Sequence, residues 1–315
     1  MLMKPLLIIA PAPARWHALA DLVGHKEPQW LEDIERRIVH GVDGGQDAFA
    51  VIPEGGRVLA SACINRRHDI GILGHVFTRA EHRGLGFARR LITTLLSWFD
   101  MSGGKWLHLG TTADVAEGLF AKFGFKITHR VNREPRDAVM MARTADGAPS
   151  NPLENAAGEA VIRDVSRADW PLIVSLLQRR PGPDPRVSSD ESAITAEIAG
   201  LELISQQEKG TCKLRAAFCG DRIVSLASVA ADQLGERTYA MLIPHSDPAP
   251  ALREAVVEFA RSKGYSQVDF PMEALSGAGA EQSVPAEQSE PPREARTPAE
   301  PLPEATADPS GDMQV

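Results

Sequence analysis

The stretch Arg83-Gly84-Leu85-Gly86-Phe87-Ala88 constrains the fold more than any other, because it joins an apolar strand pattern to a long amphipathic helical one. Upstream, Asp69 to Thr78 (DIGILGHVFT) is rich in Ile, Leu, Val and Phe between polar residues, which predicts a largely buried strand. Downstream, Leu91, Ile92, Leu95, Leu96 and Phe99 recur at helical spacing until Gly103-Gly104 stops them. The loop therefore brings two glycines to a helix N-terminus, where consecutive N–H groups and the helix dipole favour an anion. Arg83 adds a forked cation suited to phosphate.

Spacing narrows the choice of anion. A dinucleotide fingerprint G-x-G-x-x-G fails at Arg89, and the phosphate loop G-x-x-x-x-G-K-S/T is absent. What remains is R-x-x-G-x-A at Arg83, Gly86 and Ala88. Further on, Leu107-His108-Leu109 reads as the next strand. Ala116, Leu119, Phe120 and Phe123-Gly124-Phe125 then read as a helix ending in a Gly-Phe turn into another strand.

In these two motifs, residues 1–145 resemble the GNAT acyltransferase superfamily, whose Q/R-x-x-G-x-G/A loop holds the pyrophosphate of coenzyme A between the fourth strand and third helix. The resemblance implies an α/β (α+β) fold with a mixed, mostly antiparallel sheet flanked by helices. It also implies acetyl-coenzyme A as the acyl donor and an amine as the acceptor. The donor-binding set it implies is Val76, Phe77, Thr78, Arg83, Gly84, Leu85, Gly86, Phe87, Ala88 and Phe120. In the family the fourth and fifth strands splay, so that backbone groups near the end of the fourth bond the pantetheine arm and polarise the thioester carbonyl. Those groups map to Val76, Phe77 and Thr78, and backbone donors need no particular side chain.

Two departures matter. The family's later signature usually has Asn and Tyr where this chain has Ala113 and Phe120, and in many members that tyrosine protonates the departing thiolate. A positioned general acid is worth ~10² to 10⁴ in rate, yet a thiol of pKa ~8.5 leaves tolerably without help. Deprotonating an amine of pKa ~10.4 at pH 7 costs roughly 4 to 5 kcal/mol, so a base or a low-pKa acceptor is the harder requirement.

Candidates for that base are Asp69, His75, His108, Asp114 and Glu117. Alternation puts His75 with Leu73 and Phe77, opposite the face of Ile72, Gly74 and Val76, where resembling enzymes carry catalytic groups. The catalytic residues are therefore left unassigned. Arg66, Arg67, Arg79, Arg89 and Arg90 cluster around the loop in sequence, as further phosphate ligands or as a solvated basic face. No His and Cys spacing points to a metal.

Around this region, a strand at Leu6 to Ala10, helices at Arg15 to Val23 and Pro28 to His40, and a hairpin of Ala48 to Pro53 and Arg57 to Asn65 complete the family's element order. A linker over 146–159 opens a second unit at 160–275. Its order repeats the first: strand, two helices, a hairpin turned at Gly220-Asp221, a strand at Tyr239 to Ile243, a helix at Ala249 to Lys263 and a last strand at Gln267 to Pro271. This reads as a degenerate GNAT-like domain in tandem. Pro244-His245-Ser246-Asp247-Pro248-Ala249-Pro250 stands where the glycine loop would be, and its prolines remove N–H donors while Asp247 adds charge of the wrong sign.

Residues 276–315 hold eight acids against Arg293 and Arg296, a net charge of −6 out of the whole chain's −8. Rich in Pro, Glu, Ala and Ser, this tail is expected to be disordered. A nearly neutral body and a pI near 5.6 argue against nucleic acid as a partner. Three cysteines form no framework and suit a reducing, cytoplasmic setting. The apolar run at Leu6 to Ala10 is too short for an export signal, and nothing approaches a membrane span. Two functions fit: an acyl-coenzyme A-dependent N-acyltransferase acting on a small-molecule or peptide amine, or a non-catalytic acyl-coenzyme A-binding or scaffolding protein.

Overall fold

The computed structural model describes residues 3–112, 114–131, 138–153, 156, 158–178, 196–231, 238–243, 249–262 and 268–269. The tail, Ala113, residues 179–195 ahead of the second helix expected in the second unit, and the segment at 244–248 lie outside the described residues.

The first sheet is built from β1 (Leu6–Ile9), β2 (Gln46–Glu54), β3 (Arg57–Arg67), β4 (Ile70–Thr78), β5 (Trp106–Thr111), β6 (Lys126–Val131) and β7 (Ala138–Thr144). Its order is β1-β2-β3-β4-β5-β7-β6, and every neighbouring pair is antiparallel except β4 and β5. Between the strands run α1 (Trp16–Val23), α2 (Pro28–His40), α3 (Phe87–Met101) and α4 (Asp114–Ala121). Pro28 opens α2 at a position where its missing N–H is harmless. Helix α3 buries Leu91, Ile92, Leu95 and Phe99 against Ile52, Ile64, Leu73 and Leu107 on one face of the sheet. Helices α1 and α2 bury Leu19, Leu22, Ile34 and Ile38 against Phe49, Val51 and Cys63 on the other. Strand β1 forms where the Leu6 to Ala10 run predicts it, but its apolar residues are not all buried. Among the described residues it pairs only with β2, at the sheet edge, so Ile8 is buried while Leu6 and Ile9 are 38% and 48% exposed.

The second sheet contains β8 (Val161–Asp164), β9 (Cys212–Cys219), β10 (Arg222–Ala231), β11 (Thr238–Ile243) and β12 (Val268–Asp269), in the order β12-β11-β10-β9-β8. Only β11 and β12 are parallel. With α5 (Trp170–Leu177), α6 (Ala196–Glu208) and α7 (Ala249–Ser262) in place, strand order and pairing match those of the first sheet through its fifth strand.

Helices α5 and α6 are shared between the sheets. Trp170, Ile173, Leu203 and Ile204 belong to one core with Ile70, Ile72, Trp106 and Met140 of the first sheet and with Leu214, Ala216 and Leu226 of the second. This explains the sequence of α5, in which every residue from Trp170 to Leu176 is buried: it has no solvated face to keep polar. Ion pairs reinforce the join. Arg167 reaches Asp33 at 2.5 Å, Arg222 reaches Asp69 at 2.7 Å and Arg67 reaches Asp169 at 3.5 Å.

Candidate functional site

The strand and helix on either side of the glycine loop form as expected, and the loop itself supplies free donors. Gly84 and Gly86 take φ of +79° and +75°, and Gly86 is the left-handed N-cap of α3. A side chain there would meet open space, so the dihedral angle and not crowding calls for glycine. Among the described residues nothing accepts from the N–H groups of Gly84, Leu85, Gly86, Phe87, Ala88 or Arg89. Leu85 is 56% exposed at the tip. The guanidinium of Arg83 folds back, its Nε donating to the Thr78 carbonyl at 3.3 Å.

Beside the loop, β4 and β5 pair only at Ile70 with Trp106, Gly71 with Leu107 and Ile72 with His108. Strand β4 nevertheless runs on to Thr78, while β5 continues along β7. Among the described residues, the β4 edge from Leu73 to Thr78 therefore has no strand beside it on that side, and the chain leads from its end through the glycine loop into α3. Val76, Phe77 and Thr78 lie on this open edge.

Strand β4 is also bulged. Between the pairs Cys63 with Gly74 and Ser61 with Phe77, the single β3 residue Ala62 faces both His75 and Val76, and His75 adopts φ of +53°. The extra residue corrects the expected alternation. Leu73 and Val76 both enter the core beneath α3, whereas His75 lies 5.2 Å from the Trp30 ring of α2 and Phe77 4.1 Å from the His25 ring. His75 thus shares the α1–α2 face, the one onto which Ile72 also packs. Burial, with Lys26 and Arg37 nearby, pushes its imidazole down to about 3 against the opposing pull of Asp33. It is neutral at physiological pH, and too weakly basic to be an efficient general base.

The other candidate residues disperse. Asp69 sits at the far end of β4, held by Arg222 and Lys105. Glu117 pairs with Arg130 at 3.0 Å on the surface. His108 is buried at the last β4–β5 pair, with Nδ1 2.6 Å from Oε1 of Gln178, the residue that caps the C-terminus of α5, and Gln178 Nε2 donates to Glu197 at 3.4 Å. The side chain of Asp114 lies outside the described residues. Phe87 and Phe120 are core residues, 5% and 2% exposed, and the Phe120 ring packs edge-on against Phe125 at 5.9 Å.

Nor do the arginines form one patch. Arg66 and Arg67 lie at the β3–β4 turn, a strand length from the loop, where Arg66 donates to the Ser102 carbonyl at 2.6 Å and Arg67 to the Gly44 carbonyl. Neighbours in sequence across a hairpin are carried to the opposite end of the sheet. Arg79 is tied to the Val58 carbonyl at 3.0 Å, and Arg90 to the Met3 carbonyl at 3.1 Å. Arg89 is exposed on the first turn of α3.

Sequence reasoning missed the buried charges behind the site. Asp33 and Arg37 pair at 2.7 Å, Arg37 also reaches Asp47 at 3.2 Å, and Arg167 bridges Asp33 to Glu208. Burial works to raise the Asp33 carboxyl, but Arg37 and Arg167 outweigh it and hold it below the usual carboxylate range. The only signal was the four-residue spacing of Asp33 and Arg37, which reads equally well as a surface pair. Among the described residues no group of three or more His, Cys, Asp or Glu gathers as metal ligands, and no helix is long and apolar enough to cross a membrane.

Comparison with known proteins bears on this arrangement. A family model described as the acetyltransferase (GNAT) family matches residues 15–125. No curated protein matches the chain. Among solved structures, the ribosomal-protein-S18-alanine N-acetyltransferase from Escherichia coli is similar at 18% identity over 46% of this chain and 98% of that one, with a TM-score of 0.38. Escherichia coli ElaA is similar at 20% identity over 44% and 99%, with a TM-score of 0.36. An aminoglycoside 6'-N-acetyltransferase complexed with coenzyme A is similar at 15% identity over 45% and 99%, with a TM-score of 0.35. The matched segment runs from the start of α1 through the glycine loop to the Gly124-Phe125 turn, so it is residues 15–125 of this chain that match the acetyltransferase (GNAT) family model.

Proposed function

We propose that residues 1–145 bind an acyl-coenzyme A, acetyl-coenzyme A in the first instance, and transfer its acyl group directly to an amine. The observation that carries this reading is the open β4 edge leading into a loop of unpartnered N–H groups at the start of α3. A pyrophosphate on the amides of Gly84 to Arg89, with Arg83 beside it, would meet both the helix dipole and converging donors. The pantetheine arm would then run along Val76, Phe77 and Thr78, whose backbone polarises the thioester carbonyl as negative charge develops on its oxygen.

The acceptor nitrogen attacks the carbonyl carbon, a C–N bond forms, the C–S bond breaks, and the thiolate leaves with coenzyme A. With Phe120 in the core, water or the acceptor's own proton neutralises the thiolate, which its pKa of ~8.5 permits. The weak basicity of His75 favours an acceptor that is already substantially neutral, or proton removal by water.

The second unit, 160–275, fits a degenerate copy of the same fold without a donor site, joined by the 146–159 linker. Its contribution is to cover the α2 face through Trp170, which lies 6.3 Å from Trp30, and so to shape the acceptor side. The acceptor is a small-molecule or peptide amine. A reducing, cytoplasmic setting suits the free thiols of Cys63, Cys212 and Cys219.

Thiol release from acetyl-coenzyme A across a panel of amines tests the enzyme. Amine-dependent release is expected. Tight donor binding with no release for any amine class would favour the non-catalytic scaffold.

A further inference from the structure

Glu197, in the first turn of α6, is a buried carboxylate that the second unit delivers to the first. Trp170 of α5 pins that turn in place: the indole N–H donates to the Glu197 carbonyl at 3.0 Å, and Gly200 lets the two helices close, since a Cβ there would stand 3.1 Å from the Trp170 ring. Gln178 holds the side chain, with Nε2 donating to Glu197 Oε1 at 3.4 Å, and Gln178 Oε1 in turn accepts from His108 Nδ1 at 2.6 Å. The carboxylate also lies against β5 itself, because a Cβ at Gly110 would come within 2.9 Å of Glu197 Oε2. A side chain at position 110 would push it away.

That place is the mouth of the splay between β4 and β5. Ile72 and His108 form the last pair of the two strands, and both face the side of the sheet that α5 and α6 cover. Two residues further on, alternation returns Gly74 of β4 and Gly110 of β5 to that same face, and neither has a side chain. Among the described residues nothing lies within 4 Å of a Cβ built at Gly74, and Gly110 is exposed in a strand whose other residues are all buried. The strands thus part around a gap floored by two glycines and walled by Glu197. Val76, where the proposed oxyanion donors begin, follows Gly74 by two residues, roughly 7 Å of strand. An amine in the gap would have the thioester on one side and the carboxylate on the other.

We infer that Glu197 is the general base of the acyl transfer, supplied by the second unit to the donor site of the first. The inference rests on the donor site and the transfer to an amine proposed above. An acceptor arriving as ammonium gives one proton, through water, to the Glu197 carboxylate. The neutral nitrogen then attacks the thioester carbonyl carbon, the C–N bond forms as the C–S bond breaks, and the second proton goes to the departing thiolate of coenzyme A. Glu197 returns its proton to solvent through the exposed side of Gly110. The second unit is then part of the catalytic machinery, and the proton that His75 is too weakly basic to take has somewhere to go.

The full chain is assayed for thiol release from acetyl-coenzyme A with the most active amine of the panel across a range of pH, while calorimetry on the same preparations measures donor binding. Glu197→Gln should bind acetyl-coenzyme A as the parent chain does and release thiol about 10²-fold more slowly, or slower still, at neutral pH. The loss should shrink as pH rises towards the amine's own pKa, where the nitrogen no longer needs a base. Should Glu197→Gln fail to fold by circular dichroism, Glu197→Asp, which keeps the charge and draws it back by one carbon, is read the same way. Unchanged release, an equal loss at every pH, or lost donor binding in a folded variant would overturn the inference and leave the donor site standing. No binding of acetyl-coenzyme A by the parent chain, or no release with any amine, would overturn the inference together with the reading it rests on.

Discussion

Two crossovers in this molecule have the same topology and opposite chemistry. From β4 the chain passes through Arg83-Gly84-Leu85-Gly86 into α3 and returns as the parallel strand β5; from β11 it passes through residues 244–248 into α7 and returns as the parallel strand β12. The first connection has two left-handed glycines and a run of unpartnered N–H groups. The second, in its sequence, has Pro244 and Pro248, with Pro250 in the first turn of α7, none of which can donate, and an aspartate that repels anions. Strand order alone therefore does not make an anion site. A few loop residues do, and the rest of the second unit is free to serve packing, which it does by lending α5 and α6 to both sheets.

The comparison breaks most severely if the two units are uncoupled. Arg167→Ala removes the guanidinium that joins the second unit to α2 and leaves Asp33 buried with one partner fewer. Breaking such a buried pair costs about 3 kcal/mol or more, read as a lower midpoint in urea unfolding. A loss confined to a few tenths of a kcal/mol would mean that the sheets are held by apolar packing alone.

Acid should act through the same junction. The folded-state pKa of Asp33 is depressed by Arg37 and Arg167 despite burial, and that of Glu208 by Arg167 despite desolvation. A depressed carboxyl stabilises the fold above its unfolded pKa of ~4, and that stability is lost as pH falls through the lower folded value. Stability measured by denaturant titration should thus be flat near neutrality and fall below about pH 4. In Arg167→Ala the fall should be shallower, because the variant has less of this linkage to lose.

The smallest effect sharpens the comparison at α4. Phe120→Tyr restores the hydroxyl that the GNAT resemblance leads one to expect, but it does so in a core site 2% exposed against Phe125. The account expects a loss of about 1 to 2 kcal/mol from a poorly partnered buried hydroxyl and no gain in turnover. Faster thiol release in the variant would show that the ring tip reaches the leaving group.

Much of this was legible because local signals agreed with one another. The apolar run of β4, the glycines and the helical period of α3 each pointed to the same element boundaries, and Pro28 marked the start of α2. The face of His75 was not legible, because the residue that takes the bulge's left-handed conformation is His75 itself and not the neighbouring Gly74, and the extra residue reverses every side chain beyond it. The arginines misled for a related reason: Arg66 and Arg67 are near the loop in sequence but lie at the other end of β4. The charge network was hidden because Asp33 and Arg37 meet Asp47 and Arg167 only once the chain has folded, the second from a different unit.

The central claim is that the first unit alone holds the acyl donor, on the loop that begins α3. Isothermal calorimetry of the full chain with acetyl-coenzyme A tests it most directly, with Gly86→Asp as the paired variant. The account predicts one donor per chain and loss of binding in Gly86→Asp while the fold persists by circular dichroism. No binding at millimolar donor, two donors per chain, or binding that survives a carboxylate at position 86 would contradict it.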